Sequence, residues 1–353
     1  MSYTNGLDNP ELYFQTKLYT GDASDPTSIT FDGSENMQPD MLWFKARDAA
    51  YDHAIYDSAR GVQKDIRPNA STAQTTHTTA VSSFNADGFS ISAQESRINE
   101  NGTSYVVWGW NTQGGAGSSN EAGTINSTTT SVGQTQGISI STYTGTNSAA
   151  TIGHGLGAVP KIVIVKRTNG AAGWYMHHHN LTSANYHIIL NTTAAQGTGT
   201  YQWNDTLPTS TVFSVGTGSD TNGSSDTYVA YCFAPKQGFS KFGSYIGNGN
   251  ANGNFVYLGF KPAFVIVKKA TATDNWFMFD NKREGYNAIN DALRPNLSNA
   301  ELDLSGVGMD LLSNGFKLRS GDDDLNDSNT FIYMAFAEAP FVTGSGGVPC
   351  NAR

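Results

Sequence analysis

Pro160-Lys-Ile-Val-Ile-Val-Lys166 decides the fold, because the chain writes it three times. Its sisters are Pro39-Asp-Met-Leu-Trp-Phe-Lys45 and Pro262-Ala-Phe-Val-Ile-Val-Lys268. Each is a proline, a short apolar strand, and a lysine closing the strand. Proline suits the first residue of a strand, where its missing N–H costs no ladder bond. The match extends outward. Upstream stand Tyr19-Thr20-Gly21, Tyr143-Thr144-Gly145 and Tyr245-Ile246-Gly247. Downstream, His53, Trp174 and Trp276 each begin a second strand at the same distance from their proline. Each copy closes on an aromatic strand: Tyr105 to Trp110, Tyr228 to Phe233, and Phe331 to Phe336. Turn signals precede these strands at Asn101-Gly102, Asn222-Gly223 and Ser328-Asn329.

The prolines are spaced for copies of about a hundred residues, a usual size for a β-sandwich domain. The expected fold is all-β: three tandem antiparallel β-sandwich modules of jelly-roll or concanavalin-like type. One large sandwich or a small propeller is the rival, but the copies are too long for single blades. The expected boundaries are an N-terminal arm over 1–12, modules over 13–113, 137–235 and 236–340, and a tail over 341–353. The stretch 114–136, nearly all Gly, Ser, Thr, Asn and Gln, reads as a linker or as an arm packed on a neighbour.

Composition agrees. Of 353 residues, 33 are Ser, 37 Thr, 31 Asn and 38 Gly, which suits many solvated turns. A net charge of −9 argues against electrostatic binding of nucleic acid. No run of 18 apolar residues signals membrane insertion. The start lacks a basic and apolar leader, so no signal peptide is expected. Cys232 lies in an apolar run and Cys350 in a Gly-rich tail, which gives no disulfide framework.

Several constellations are candidates for chemistry. Asp57/Arg60 and Asp280/Arg283 recur at the same offsets; each pair reads as a salt bridge pinning a turn, or as a site for a ligand carboxylate or sugar. Copy two has His178 and Leu181 there, so the fold does not require the pair. In a strand, His177 and His179 would face one side and could chelate a transition metal. Asp322, Asp324 and Asn326 offer alternating hard oxygen ligands for Ca²⁺, although Asp327 stands where an EF-hand loop needs glycine. Tyr201 and Trp203, in a polar loop, could stack on sugar rings. Gly153-His154-Gly155-Leu156-Gly157 reads as a turn, since it does not open a helix after a strand. No nucleophile arrangement stands out, so an enzyme is not expected and no cofactor is required.

Taken as a set, Phe14 to Gly21, Thr142 to Gly145, Gly153 to Lys166, Tyr228 to Ala234 and Trp276 to Asp280 resemble recurring segments of virion proteins from tailed phages, marine cyanophages and pelagiphages among them. The resemblance covers about Tyr13 to Pro340. It implies a structural or tail-fibre-like virion protein of repeated lectin-like β-sandwich modules, assembled in the bacterial host cytoplasm. Its implied partners are copies of itself, a trimer among the options, other virion proteins, and a host surface glycan or receptor. A capsid decoration or head-fibre protein is the alternative within the virion. A glycan-active enzyme or secreted lectin is the alternative outside it.

Overall fold

The computed structural model describes residue 7 and residues 9–304 and 308–339. The chain is all-β and antiparallel, as expected. Its three copies form three lobes with one plan. Each lobe has an opening strand (Phe14–Thr20, Ile138–Thr144, Ser240–Ile246), a proline strand (Met41–Ala46, Ile162–Arg167, Phe264–Lys269), a return strand (Ala54–Asp57, Trp174–His178, Trp276–Asp280) and a closing strand (Ser104–Trp110, Thr227–Phe233, Thr330–Phe336). In every lobe they lie side by side as opening, closing, proline, return. A smaller sheet covers one face. In lobe 1 it comprises Thr27–Ile29, Val81–Phe84 and Phe89–Ile91; in lobe 2, Ala150–Gly153 and Val212–Val215; in lobe 3, Phe255–Tyr257, Met309–Leu312 and Gly315–Leu318.

Side chains alternate across a strand, and here both faces are buried. Leu42, Phe44 and Val107 fill the interior of lobe 1. Val163, Val165, Ala230 and Cys232 fill lobe 2. Val265, Val267, Tyr333 and Ala335 fill lobe 3. The other face of all three main sheets enters one shared core, where Trp43 and Trp108 meet Ile164 and Tyr231 and also Ile266 and Met334. The lobes therefore do not fold as separate beads. They close around a pseudo-threefold axis, and lobe 3 packs back on lobe 1 through Phe14 stacked on Phe336, ring centroids 5.7 Å apart. Two-sided burial explains why the proline strands read as continuous apolar runs rather than alternating ones.

The polar stretch expected as a linker is folded. Ser118–Asn120 and Ser127–Gly133 are strands, and the second pairs with the opening strand of lobe 2 in register Thr129 to Thr142 and Gly133 to Ile138. Threonine and serine suit half-exposed strands at the rim of a sheet, Ser118–Asn120 at the edge and Ser127–Gly133 next to it, so a polar composition hid them. Of the expected N-terminal arm, Leu7 is buried in the shared core and Pro10–Leu12 form a single 3-10 turn. The tail over 341–353, with Cys350, lies outside the described residues. Among the described residues no helix is long and apolar enough to cross a membrane.

Candidate functional site

The recurring residues converge on the seams between lobes. Asp57 and Arg60 are buried and joined at 2.6 Å. Arg60 also donates to Lys64 O, Gln74 Oε1 and Ile55 O. The same Asp57 oxygen accepts from Tyr231 OH of lobe 2 at 2.6 Å. In lobe 3, Asp280 pairs with buried Arg283 at 2.5 Å and accepts from Trp108 Nε1 of lobe 1 at 3.2 Å. Arg283 also meets Glu301, which holds Arg47 of lobe 1 at 2.7 Å. With these bonds made, neither pair offers a free charge to a ligand. The salt-bridge reading holds, and the ligand reading falls because burial leaves no approach.

Lobe 2 completes the ring differently. Strand register makes His178 the counterpart of Asp57 and Asp280, and Met334 of lobe 3 the counterpart of Trp108 and Tyr231. Methionine has no hydrogen to donate. His178 Nε2 instead lies 3.3 Å from the carbonyl of neighbouring Tyr333. Burial pushes the His178 imidazole down to about 3, so it is neutral and donates.

A second cycle lies beside the first. His53 reaches Arg294 O of lobe 3, Trp174 donates to Arg67 O of lobe 1, and Trp276 donates to Ile189 O of lobe 2. The closing lysines form a third set. Lys45, Lys166 and Lys268 are fully buried and cradled by backbone carbonyls: Ala46 and Ala49; Arg167 and Ser71; Lys269 and Thr193. Ser71 and Thr193 belong to the preceding lobes. Burial pushes all three ammonium groups down to about 8.

The proposed metal ligands do not assemble. His177 faces the interior of lobe 2, its ring 6.1 Å from that of Trp203. His179 lies past the end of its strand and reaches Phe242 O of lobe 3 at 3.0 Å. The strand ends at His178, so the alternation that would put His177 and His179 on one side does not continue. In the acidic segment, Asp322 caps the single turn Asp323–Asn326. Lys269 occupies the place a cation would take, with Asp274 at 2.8 Å, Asp323 at 2.6 Å and Asp327 at 3.3 Å. Asp324, crowded by burial and by Asp274 and Asp322, is raised to about 6. Among the described residues no cluster of metal-ligating side chains is present. Trp203 is buried, which removes it as a sugar platform, while Tyr201 is exposed beside it on the turn Thr200–Trp203.

Asn326 has another task, which sequence reading missed. Its amide donates to Asn248 Oδ1, Asn250 O and Ser320 O. Asn222 does the same for Ser148 O and Gly216 O, and Asn99 reaches Ser24 O and Ala93 O. Each asparagine ties down the loop after its opening strand. Over it, Tyr19 stacks on Tyr105 at 5.2 Å, Tyr143 on Tyr228 at 5.1 Å and Tyr245 on Phe331 at 5.1 Å. The three tyrosine hydroxyls donate to Ile98 O, Thr221 O and Leu325 O, the residues before the asparagines. This explains the recurring Gly21, Gly145 and Gly247: a Cβ there would come within 2.2, 2.3 and 1.9 Å of carbonyl oxygens. In lobes 1 and 3 the available signal was an apolar residue before asparagine, Ile98-Asn99 and Leu325-Asn326, ahead of the closing aromatic strand; lobe 2 has Thr221-Asn222. The turn signals Asn101-Gly102 and Ser328-Asn329 drew attention to other asparagines in lobes 1 and 3, while Asn222-Gly223 contained the right residue but was read only as a turn.

At the axis the three sheets leave a cavity of about 30 Å³, walled by Trp43, Ile164, Trp174, Tyr231, Trp276 and Met334. That is room for a water or two, but a water needs polar partners and the walls are almost wholly apolar. The seam residues thus join the three lobes through one connected set of bonds.

A family model described as Domain of unknown function (DUF7483) matches residues 9–340, and the chain belongs to that family. The match spans all three lobes. No curated protein and no solved structure matches the chain.

Proposed function

We propose that this chain is a non-catalytic structural protein of a tailed-phage virion, a tail-fibre or tail-attached adhesion protein that contacts the host surface. One observation carries the reading: the recurring charged and aromatic groups are spent on joining lobes, as in the Asp57–Tyr231 and Asp280–Trp108 bonds. A general acid, base or nucleophile must keep a group available to substrate; a structural body need not. The resemblance to phage virion proteins supplies the setting. Surfaces that three modules of a homotrimer would turn to one another are used up inside one chain, so assembly with further copies would employ other faces.

The test is location and competition. Antibody against the purified chain should label the tail of the virion that carries it. The chain, added to host cells, should reduce adsorption of that phage. Label over the head would replace the adhesion reading with a capsid decoration or head-fibre role. Release of sugar from host capsular or lipopolysaccharide material would overturn the non-catalytic reading.

A further inference from the structure

Lobe 2 departs from its sisters at one more place. In each lobe the segment after the return strand runs back along it, with Ile66 opposite Ile55, Ile188 opposite Met176 and Leu293 opposite Met278. A further short strand pairs with that segment: Thr75 with Asp65, Gly197 with His187 and Leu302 with Ala292. The register continues, since His77, Gly199 and Leu304 donate to Gln63 O, Asn185 O and Asn290 O. Alternate residues of a strand share a face. That face carries Thr75 and His77 in lobe 1, Leu302 and Leu304 in lobe 3, and Gly197 and Gly199 in lobe 2.

In lobe 1 the covering side chains are spent internally. Thr75 bonds Asp65, and His77 Nε2 accepts from Arg97, itself paired with Asp65. In lobe 2 the glycines leave a polar group of side chains uncovered. A Cβ at Gly197 would lie 2.9 Å from His187 Nε2. One at Gly199 would lie 3.1 Å from Gln202 Oε1 and 3.6 Å from the Tyr201 ring. Tyr175 joins them: its ring centroid is 5.0 Å from that of His187, and its hydroxyl interacts with Asp220 and Gln202. Tyr175 stands where lobes 1 and 3 have apolar Ala54 and Phe277. Asp220 stands where lobe 1 has Arg97, each just ahead of the residue before the loop-tying asparagine. Gln202 is only 9% exposed, yet its Oε1 has no partner among the described residues, and neither has His187 Nδ1. Buried polar atoms are costly when unpaired. Tyr201, beside them, is 63% exposed.

We propose that this face of lobe 2 binds a neutral sugar residue. Tyr201 supplies a flat ring for the C–H face of the sugar. Asp220 and Gln202 Oε1 accept from its hydroxyls. Burial keeps the His187 imidazole neutral, so its unpartnered nitrogen bonds a hydroxyl in either tautomer. The Asp220 carboxylate repels an acidic sugar. The binding stands on this geometry; that the sugar belongs to a host surface glycan rests on the adhesion reading.

The full chain is mixed with the methyl glycosides of glucose, galactose, mannose, rhamnose and N-acetylglucosamine, each at about 10 mM, and binding is read by saturation-transfer difference NMR. At least one glycoside should take up saturation from the wild type. Gly197→Leu/Gly199→Leu, which installs the lobe 3 residues over His187 and Gln202, should abolish the transfer. Tyr201→Ala, at an exposed position, should weaken binding about tenfold. Circular dichroism melts check that both variants are folded. The proposal is overturned by no transfer to any of these glycosides, by undiminished transfer in either folded variant, or by equal transfer to methyl glucuronide. Sugar binding by a chain that does not compete for phage adsorption leaves the site standing and removes only the adhesion reading.

Discussion

Replacing Arg60 by leucine tests whether the seams hold the molecule together. The side chain is buried and makes a 2.6 Å ion pair with Asp57. It also donates to Ile55 O and Lys64 O at 3.0 Å each. Arg60→Leu strands a buried carboxylate with Tyr231 OH and one backbone N–H as its remaining partners. Breaking a buried pair from one side costs about 3–5 kcal/mol, because the surviving charge stays desolvated. The double change Asp57→Asn/Arg60→Leu removes the charge from both sides and keeps an Oδ1 to accept from Tyr231 OH. The acceptors that Arg60 served, Ile55 O, Lys64 O and Gln74 Oε1, are left short of a donor equally in both variants, so the two differ by the stranded charge. The double variant should therefore be more stable than the single variant by about 2 kcal/mol. Urea denaturation followed by tryptophan fluorescence measures both, with a common m-value as the check on two-state behaviour. A loss under about 1 kcal/mol for Arg60→Leu, or a double variant no better than the single one, would refute the argument that the pair is a desolvated structural bond.

Other expectations follow from the same geometry. Gly145→Ala should lower the melting temperature sharply, since its Cβ would lie 2.3 Å from Gly223 O; Gly61→Ala, whose Cβ meets open space, should fall short of it by the cost of backbone strain alone. Stability should rise with pH from about 8 to about 10, because Lys45, Lys166 and Lys268 lose their protons near 8 in the folded chain but near 10.4 when unfolded. Above about pH 10 it should fall, because burial holds Tyr19, Tyr143, Tyr231 and Tyr245 protonated while the unfolded phenols ionise; melts across this range read both limbs. Calcium or a chelator should leave the melting temperature unchanged, because Lys269 already sits among Asp274, Asp323 and Asp327; a rise with calcium would mean the ammonium yields its place. Residues 137–235 expressed alone should aggregate, since they would expose Ile162, Ile164, Tyr231 and Phe233 on an uncovered sheet face; a folded monomer by sedimentation would show the lobes are independent.

The repeat was legible because each lobe solves the same local problem. Proline stands two residues before a strand, a buried lysine is its last residue but one, and Tyr-x-Gly closes a loop over a buried asparagine. Those constraints act within a hundred residues and leave marks at fixed offsets. The seams left weaker marks. Asp57 and Tyr231 stand 174 residues apart, and Trp108 and Asp280 stand 172 apart. No periodicity or spacing connects them. The one clue was that Val163 and Val165 alternate with Ile162 and Ile164, apolar on both faces, which a sandwich with one wet face does not need. The strand over 127–133 was hidden for the opposite reason: a strand bonded on both sides through its backbone and its threonine hydroxyls needs no apolar signal.

The exception in lobe 2 carries the strongest argument that the three seams form one unit. Had Asp, Arg and an aromatic donor been demanded lobe by lobe, their loss at His178 and Leu181 would have left Tyr231-like chemistry in lobe 3 waiting for a carboxylate. Instead the donor is gone as well. Met334 stands where Trp108 and Tyr231 stand, and His178 turns to the adjacent backbone carbonyl of Tyr333. A carboxylate facing methionine would be buried unpaired, and an aromatic N–H or O–H facing a neutral donor histidine would be unsatisfied; both are costly. The two substitutions lie in different lobes and are tolerable only together. The contact between lobes, and not each lobe by itself, thus decides which side chains can stand at these positions.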